Sequence, residues 1–589
     1  MNKQEKLIVV LLGLVLAGWL WHSFDQSKKE AAARAEREAA QAEIAATNTV
    51  AVAEQAKKAA PAAGTAAPAM AKAPELPKPA KPHKPEQTVV LSNAEVAVTL
   101  SSHGAVVKNA TLFGYAQSAG NISAENPPLM LDFAAAPALA LEGVAGLAGD
   151  EDYEIVGQSA DMVLFRNAMA TRRITLKPGY RLALEEAFAA PAVGAPNRLS
   201  LGCMTLGDSK NDLLSIDSMT MGAKPQALHH GEEDPLKSYL VGGAGGCGGK
   251  RSAAGIPETM SVDVVGAQQW LAVKNRFFVT ALAQSSETNA GFRATMTRDM
   301  ARQDYALKRV AAAASFQNLA AKRTFTLYVG PKKQSLLWDL GMRDVMEYGM
   351  WRWFCYPMVW VLNLFNSWIP SYGIAIILLT ILVRLVFWPL THKSTVGMRK
   401  MQEIQPKLKA LQKQFKDNPQ RLQQETWQLY RTEKVNPMSS CLPMLVQIPV
   451  FIALFNVLRA SVELRYAPFL WISDLSEPEA LFASWFPFGG LNILPILMAA
   501  TMALQSWLTP STGDKSQQRM MMVMMPIMML VMFYSFPSAL SLYWTLSQVF
   551  SIAQMWYIRK RYGTPAPKTD VIEPDSVEMP TTRQMRRHG

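Results

Sequence analysis

Cysteine is scarce in this chain: Cys203, Cys247, Cys355 and Cys441 are the only four in 589 residues. None is spaced as CxxC or set beside histidine in a zinc pattern, which excludes a redox dithiol and a zinc cluster read from sequence. Catalytic signatures are missing too. There is no nucleophile elbow, no HExxH and no Walker loop, so the hydrolase, zincin and nucleotide-driven classes fall away. The nearest approach is GGAGGCGGKR (242–251). There Ala244 stands where a phosphate loop needs its first glycine, and Arg251 where it needs the Ser/Thr that holds magnesium. It reads as a flexible loop with no cofactor. His229, His230, Glu232 and Glu233 carry metal-ligating groups, but no helix or strand fixes their geometry. The expectation there is a solvated loop and no metal. Acidic residues are missing from the late apolar runs, apart from Glu463 at the end of one of them.

What is present is apolar length. Tyr372–Leu390 (YGIAIILLTILVRLVFWPL) holds nineteen residues with one charge, Arg384. As a helix it measures ~28 Å, the hydrocarbon thickness of a bilayer. An arginine inside such a helix costs at least ~2.5 kcal/mol on the mildest insertion scale, so it needs a role or a route to the surface. Snorkelling is the plain alternative, since Arg384 lies ~9 Å from the end of the run. Thr380 stands one turn earlier on the same face.

Further runs follow the same logic. Leu7–Phe24 is apolar, and Trp19, Trp21, His22 and Phe24 occupy its exit where a signal peptide would show A-x-A. It reads as an uncleaved anchor (1–27). Residues 28–87 are an Ala/Lys/Pro-rich tether without a fold. Residues 88–335 show short alternating runs separated by Gly, Pro, Asn and Asp, the pattern of a β-sandwich large enough for its own core. The runs are Glu95–Leu100, Ala105–Phe113, Met162–Phe165, Arg173–Leu176, Arg181–Phe188, Phe277–Leu282 and Arg323–Val329. Within this domain Cys203 and Cys247 pair only if they are close, which spacing leaves open. In 336–371, Pro357–Pro370 is apolar but too short to span, and predicts an interfacial helix.

The later spans are placed at Tyr372–Leu390, Cys441–Leu464, Leu491–Leu508, Met520–Phe536 and Ser538–Ile558. Residues 391–436 carry ten Lys/Arg against four Asp/Glu and form a helical hairpin broken at Asp417-Asn418-Pro419. The basic excess puts it in the cytoplasm. The tail 559–589, with seven Lys/Arg against four acids, goes the same way. Six spans with both termini inside put the β-domain outside. Ser541, Thr545, Gln548 and Ser551 line one helical face of the last span, and Gln447 adds a polar group to the third. Interhelical hydrogen bonding is the plain reading of such residues. Three stripes and a lone arginine point instead to a water-filled cavity that offers positive charge. Met520–Met532 holds eight methionines. That suits either a loosely packed core or a wall adaptable to varied apolar segments.

At this point the sequence resembles a known family. ILLTILVRLVFWPLTHKS (377–394), KVNPMSSCLPMLVQIPVFIALFNVLRASVELRYAPF (434–469) and FPSALSLYWTLSQ (536–548) are similar to the YidC/Oxa1/Alb3 membrane protein insertases. The stretch SSC (439–441), often Gly-rich in relatives, departs slightly. The anchor and large external domain resemble the Gram-negative form. The resemblance implies a polytopic α-helical membrane protein with six transmembrane helices. Five of them form an insertase core (372–558), and a large periplasmic β-sandwich of supersandwich type is attached. It implies an inner-membrane location and no enzymatic reaction. It also implies a substrate groove at Arg384, Thr380, Gln447 and Trp544, with Ser541, Thr545 and Gln548 on its polar face. A hydrophobic slide would follow Met524, Met525, Met528, Met529, Met532, Phe451 and Phe455. Implied partners are nascent membrane proteins, the Sec translocon, the ribosome and signal recognition particle machinery, and anionic lipids, with no DNA. A secondary transporter would carry inverted repeats, and none is visible. A tethered sugar-modifying enzyme would carry paired carboxylates or histidines in the β-domain, and none can be placed.

Overall fold

The computed structural model describes residues 84–120, 122–144, 146–147, 151–206, 213–221, 227–231, 258–299, 307–436, 442–482, 490–508 and 520–563. The expected anchor, most of the tether, Glu232, Glu233, the Gly-rich loop with Cys247, Cys441 and the tail beyond 563 lie outside the described residues. His229 and His230 fall in a strand, Ala227–Gly231. The described residues belong to one unit, Pro82–Gly589.

Residues 88–331 form two antiparallel nine-stranded sheets. The first runs Thr88–Ser92, Val96–Ser101, Val106–Ala116, Ala138–Glu142, Asn197–Thr205, Leu307–Phe316, Gly291–Arg298 and Thr259–Val265, with Pro128–Asp132 paired to Val106–Ala116. The second runs Ala227–Gly231, Ser215–Thr220, Gln268–Lys274, Phe278–Ser285, Lys322–Pro331, Arg181–Phe188, Ala170–Lys177, Met162–Arg166 and Glu154–Gln158. Alternation decides which face is inside: in Ala170–Lys177 and Arg181–Phe188, Ile174, Leu176, Leu182 and Leu184 point inward and are buried. All seven expected strands are present within a residue or a few of their expected ends. Between the sheets Glu186 joins Arg172 at 2.8 Å and Arg323 at 2.5 Å, with all three side chains fully buried.

Nine α-helices are described, the first being α1 (Gln334–Asp339). Next comes α2 (Arg352–Trp368), which begins five residues before the expected interfacial helix. It buries Cys355, Met358, Val359 and Leu362 and leaves Trp353, Phe354, Trp360 and Trp368 exposed. Such an aromatic face suits a membrane–water boundary.

The helix α3 (Tyr372–Glu403) runs thirteen residues past the expected end at Leu390. The sequence there turns polar, but residues 391–403 hold no proline, and their single Gly397 costs a helix only about 1 kcal/mol. A change of solvent along the axis does not interrupt the backbone ladder. The hairpin's first arm is therefore the end of α3 continued by α4 (Gln405–Gln414). Its second arm is α5 (Pro419–Thr432), with Pro419 in the first turn and the Asn418 side chain capping the Arg421 N–H. Lys407 and Glu433, 2.8 Å apart, close the hairpin.

The remaining helices are α6 (Leu442–Ala460), α7 (Ile493–Leu508), α8 (Met525–Phe533) and α9 (Ser538–Tyr562). The expected fifth span is not one regular helix: Met520–Met524 is a π-helical turn leading into α8. Pro526 supplies the cause, since it cannot donate to the carbonyl four residues back. Among the described residues one helix, Tyr372–Glu403, is long and apolar enough to cross a membrane. Gln447–Ala460, Ile493–Leu508 and Met522–Phe533 are apolar but shorter.

Candidate substrate groove

Three helices bring the polar residues together: α9 packs on α3 and α6, and α3 on α6. Arg384 projects from the middle of α3, half-buried, and turns its guanidinium sideways onto α9. Its Nε donates to Ser547 Oγ at 3.1 Å and its Nη2 to the Ser547 carbonyl at 2.5 Å. Further along, Gln554 Nε2 donates to Thr391 Oγ1 at 3.1 Å. Both pairs are separated by 163 residues in sequence, so α3 and α9 run parallel and in register over this stretch. No carboxylate lies within ion-pair distance of Arg384 among the described residues, and its Nη1 group makes no hydrogen bond there.

Gln447, on α6, donates its side-chain amide to Tyr543 Oη at 2.9 Å. Tyr543, Ser547 and Gln554 are four and seven residues apart, on a face of α9 distinct from Ser541, Thr545 and Gln548. Arg384 meets that face. Ser547 escaped the sequence reading; the signal for it was its place one turn after Tyr543.

The other expected groove residues are accounted for individually. Thr380 is fully buried and returns its hydroxyl to the Ile376 carbonyl at 2.7 Å. Thr545 does the same to Ser541 at 2.7 Å, and Ser551 to Ser547 at 2.9 Å. Such back-bonds satisfy a hydroxyl inside its own helix and take it out of play for other partners. Ser541 Oγ and Trp544 Nε1 are buried with no hydrogen-bond partner. Gln548 is half-buried.

The apolar residues divide in two. Phe451 packs edge-on against Trp544 with centroids 4.9 Å apart and lies 6.4 Å from Phe455. Phe533 and Phe536 complete this knot. Met524, Met528 and Met532 are exposed on one face of the fifth apolar segment, beside exposed Ile527 and Val531. Met525 and Met529 are half-buried behind them.

Residues 364–565 match the family described as 60Kd inner membrane protein, and residues 250–361 the family described as YidC periplasmic domain. A protein of Syntrophobacter fumaroxidans named "Membrane protein insertase YidC" is 41% identical over 299 residues, covering 49% of this chain and 53% of its own length. A protein of the same name from Chloroherpeton thalassium is 36% identical over 358 residues, covering 58% and 61%. The chain thus spans about half the length of the curated relatives it matches. The solved structure described as active YidC insertase with its first transmembrane domain resolved aligns at 18% identity over 81% of this chain and 93% of that one, with a TM-score of 0.32. The chain is thus similar to the YidC membrane insertases, over its helical part (364–565) and over the later part of its β-sandwich and the residues that follow it (250–361).

Proposed function

We propose that the protein inserts newly made hydrophobic segments into the inner membrane and is not an enzyme. In this reading six spans leave both termini in the cytoplasm and the β-sandwich in the periplasm. The α3–α6–α9 seam is the groove that receives a substrate's polar tail. The observation that carries it is Arg384: a cation at mid-helix, held by a serine hydroxyl and carbonyl in place of a carboxylate, with one amino group unengaged. A charge placed so is costly unless something negative or polar comes to it.

The tail enters from the cytoplasmic side, where the basic hairpin meets the emerging chain. Arg384 lowers the cost of holding its carbonyls and carboxylates at that depth. The hydrophobic segment meanwhile passes along the methionine face into lipid. Apolar burial at ~25 cal/mol per Å2 drives the transfer, and no nucleotide is needed. The Sec translocon, the ribosome, the signal recognition particle machinery and anionic lipids belong to this reading as partners on the cytoplasmic and lateral faces.

The test is reconstitution. Purified full-length protein in sealed liposomes should make a single-span reporter protease-protected without ATP. Protection no greater than in protein-free liposomes refutes the reading.

A further inference from the structure

Three groups at the start and end of the core helices would stand open without the loop 465–482. The first N–H groups of α9 have no partner within their own helix, nor have those of α7, and the last carbonyls of α6 are in the same position. The loop supplies the first two sets. Ser538 N donates to the Glu477 carbonyl at 2.9 Å and Ala539 N to the Leu475 carbonyl at 3.0 Å. Ser538 Oγ reaches the Asp474 carbonyl at 3.0 Å. The Glu479 carboxylate caps α7, accepting from Ile493 N at 2.8 Å and Leu494 N at 2.7 Å. Asp474 holds the loop's own shape by accepting from Tyr466 N, Ser476 N and Ser476 Oγ. Leu475 and Ser476 are fully buried.

This loop is itself gripped from the β-sandwich. Arg276 sits in the turn between strands Gln268–Lys274 and Phe278–Ser285, its side chain 3% exposed. Its Nε donates to the Arg459 carbonyl at the end of α6 at 2.8 Å, its Nη1 to Glu477 Oε1 at 2.6 Å and its Nη2 to the Ser476 carbonyl at 2.7 Å. Every nitrogen of the fork therefore lands on the helical part, and the guanidinium lies over the Phe277 ring. Arg465 returns the grip, donating to the Ala116 carbonyl at 2.8 Å. Ser541, with its unpartnered hydroxyl, lies one turn beyond Ser538, directly behind this closure.

We propose that Arg276 is a positioning residue of the groove. From the β-sandwich it clamps the loop 465–482 onto the starts of α7 and α9 and the end of α6, and so keeps the seam shut at its outer end. This rests on the proposed topology, in which that end faces the periplasm. It makes the β-domain part of the closure and not merely an appendage. A lysine has three donors on a single nitrogen, in place of a fork whose three nitrogens each reach a different acceptor, and cannot span that set.

The test uses the full-length chain with Cys247, Cys355 and Cys441 replaced by alanine. Ser541→Cys is the reporter, and the native Cys203, buried in the β-sandwich, is the internal control. A membrane-impermeant maleimide is added from outside to spheroplasts with no substrate engaged. Labelling of the two cysteines is read separately by mass spectrometry. Each charge-assisted hydrogen bond is a factor of roughly ten in an equilibrium. Arg276→Ala should therefore speed labelling of the reporter at least about tenfold while Cys203 stays protected. Arg276→Lys should fall between, and Glu477→Gln should raise labelling less than the alanine. Parental labelling of the reporter in Arg276→Ala overturns the proposal. So does equal acceleration at Cys203, which would mean general unfolding of the β-domain. Because no insertion is measured, a failure of the insertion reading leaves this result intact, and the reverse holds too.

Discussion

Replacing Arg384 tests the proposed groove most directly. In the proposed topology Arg384, twelve residues into α3, lies ~18 Å from its outer end, deep in a ~30 Å hydrocarbon layer. An aspartate brought to that depth costs ~2.5–3.5 kcal/mol. At ~5 Å from a guanidinium, with an effective dielectric of ~20, Coulomb attraction returns ~3.3 kcal/mol. The two nearly cancel, so Arg384→Ala should slow insertion of a reporter with one acidic residue in its translocated tail by about 200-fold. A neutral-tailed reporter gains by apolar transfer along the methionine face and should change by less than about threefold. Arg384→Lys keeps the charge but loses the fork onto Ser547, and should retain most activity on both reporters. Arg384→Glu should be worse than alanine for the acidic tail alone. The assay is protease protection of the two reporters in matched membranes, normalised to the amount of insertase. Equal defects for both tails in Arg384→Ala would refute the charge argument and leave Arg384 as a helix anchor.

Other expectations follow from the same geometry. Glu186→Ala leaves the buried guanidiniums of Arg172 and Arg323 facing each other, and should destabilise the β-domain by ~3–5 kcal/mol; pulse proteolysis showing a loss below ~1 kcal/mol would contradict this. Burial alone would lower the Lys274 pKa, but the carboxylates of Asp217 and Glu347 outweigh it and hold the ammonium above its ordinary value. Its grip on the 343–351 segment, which includes a 2.9 Å bond to the Val345 carbonyl, is thus complete below the ordinary lysine range and lost as pH rises through the raised value. Cleavage by added protease between residues 331 and 352 should therefore rise only at strongly alkaline pH, and a rise near neutrality would count against it. For topology, a cysteine at Lys413 should react only from the cytoplasm and one at Leu470 only from outside.

The β-domain was legible where one face of a strand meets solvent. Ala170–Lys177 and Arg181–Phe188 alternate because their outward residues are wet. Asn197–Thr205 and Ser215–Thr220 did not show, since they are buried on nearly every residue and no period of two remains. Leu307–Phe316 was hidden by four consecutive alanines, residues of weak strand preference. In the helical part Arg384 stood out as the single charge in an apolar run. Its partner did not, because Ser547 faces Arg384 only through the parallel register of α3 and α9, which is a tertiary fact. Arg276 was invisible for the same reason: nothing local to a β-turn announces that its arginine will meet a loop 200 residues away.

The distribution of satisfied and unsatisfied groups in the seam bears on what the proposed groove can recognise. A stripe of Ser and Thr suggests a wet, hydroxyl-lined wall, but here most of those hydroxyls are spent. Thr380, Thr391, Thr545 and Ser551 each donate to a carbonyl of their own helix. Gln447 spends its amide on Tyr543. Of the polar groups left over, Arg384 Nη1 and Trp544 Nε1 can only donate, while Ser541 Oγ can donate or accept. A polypeptide offers acceptors at every residue through its carbonyls, and carboxylates wherever it carries Asp or Glu. A groove with an arginine and, among the described residues, no carboxylate near it therefore favours a chain by the sign of its charge and by its backbone, without a fixed side-chain fit. That is what a site must do if it is to accept many unrelated tails and release each of them.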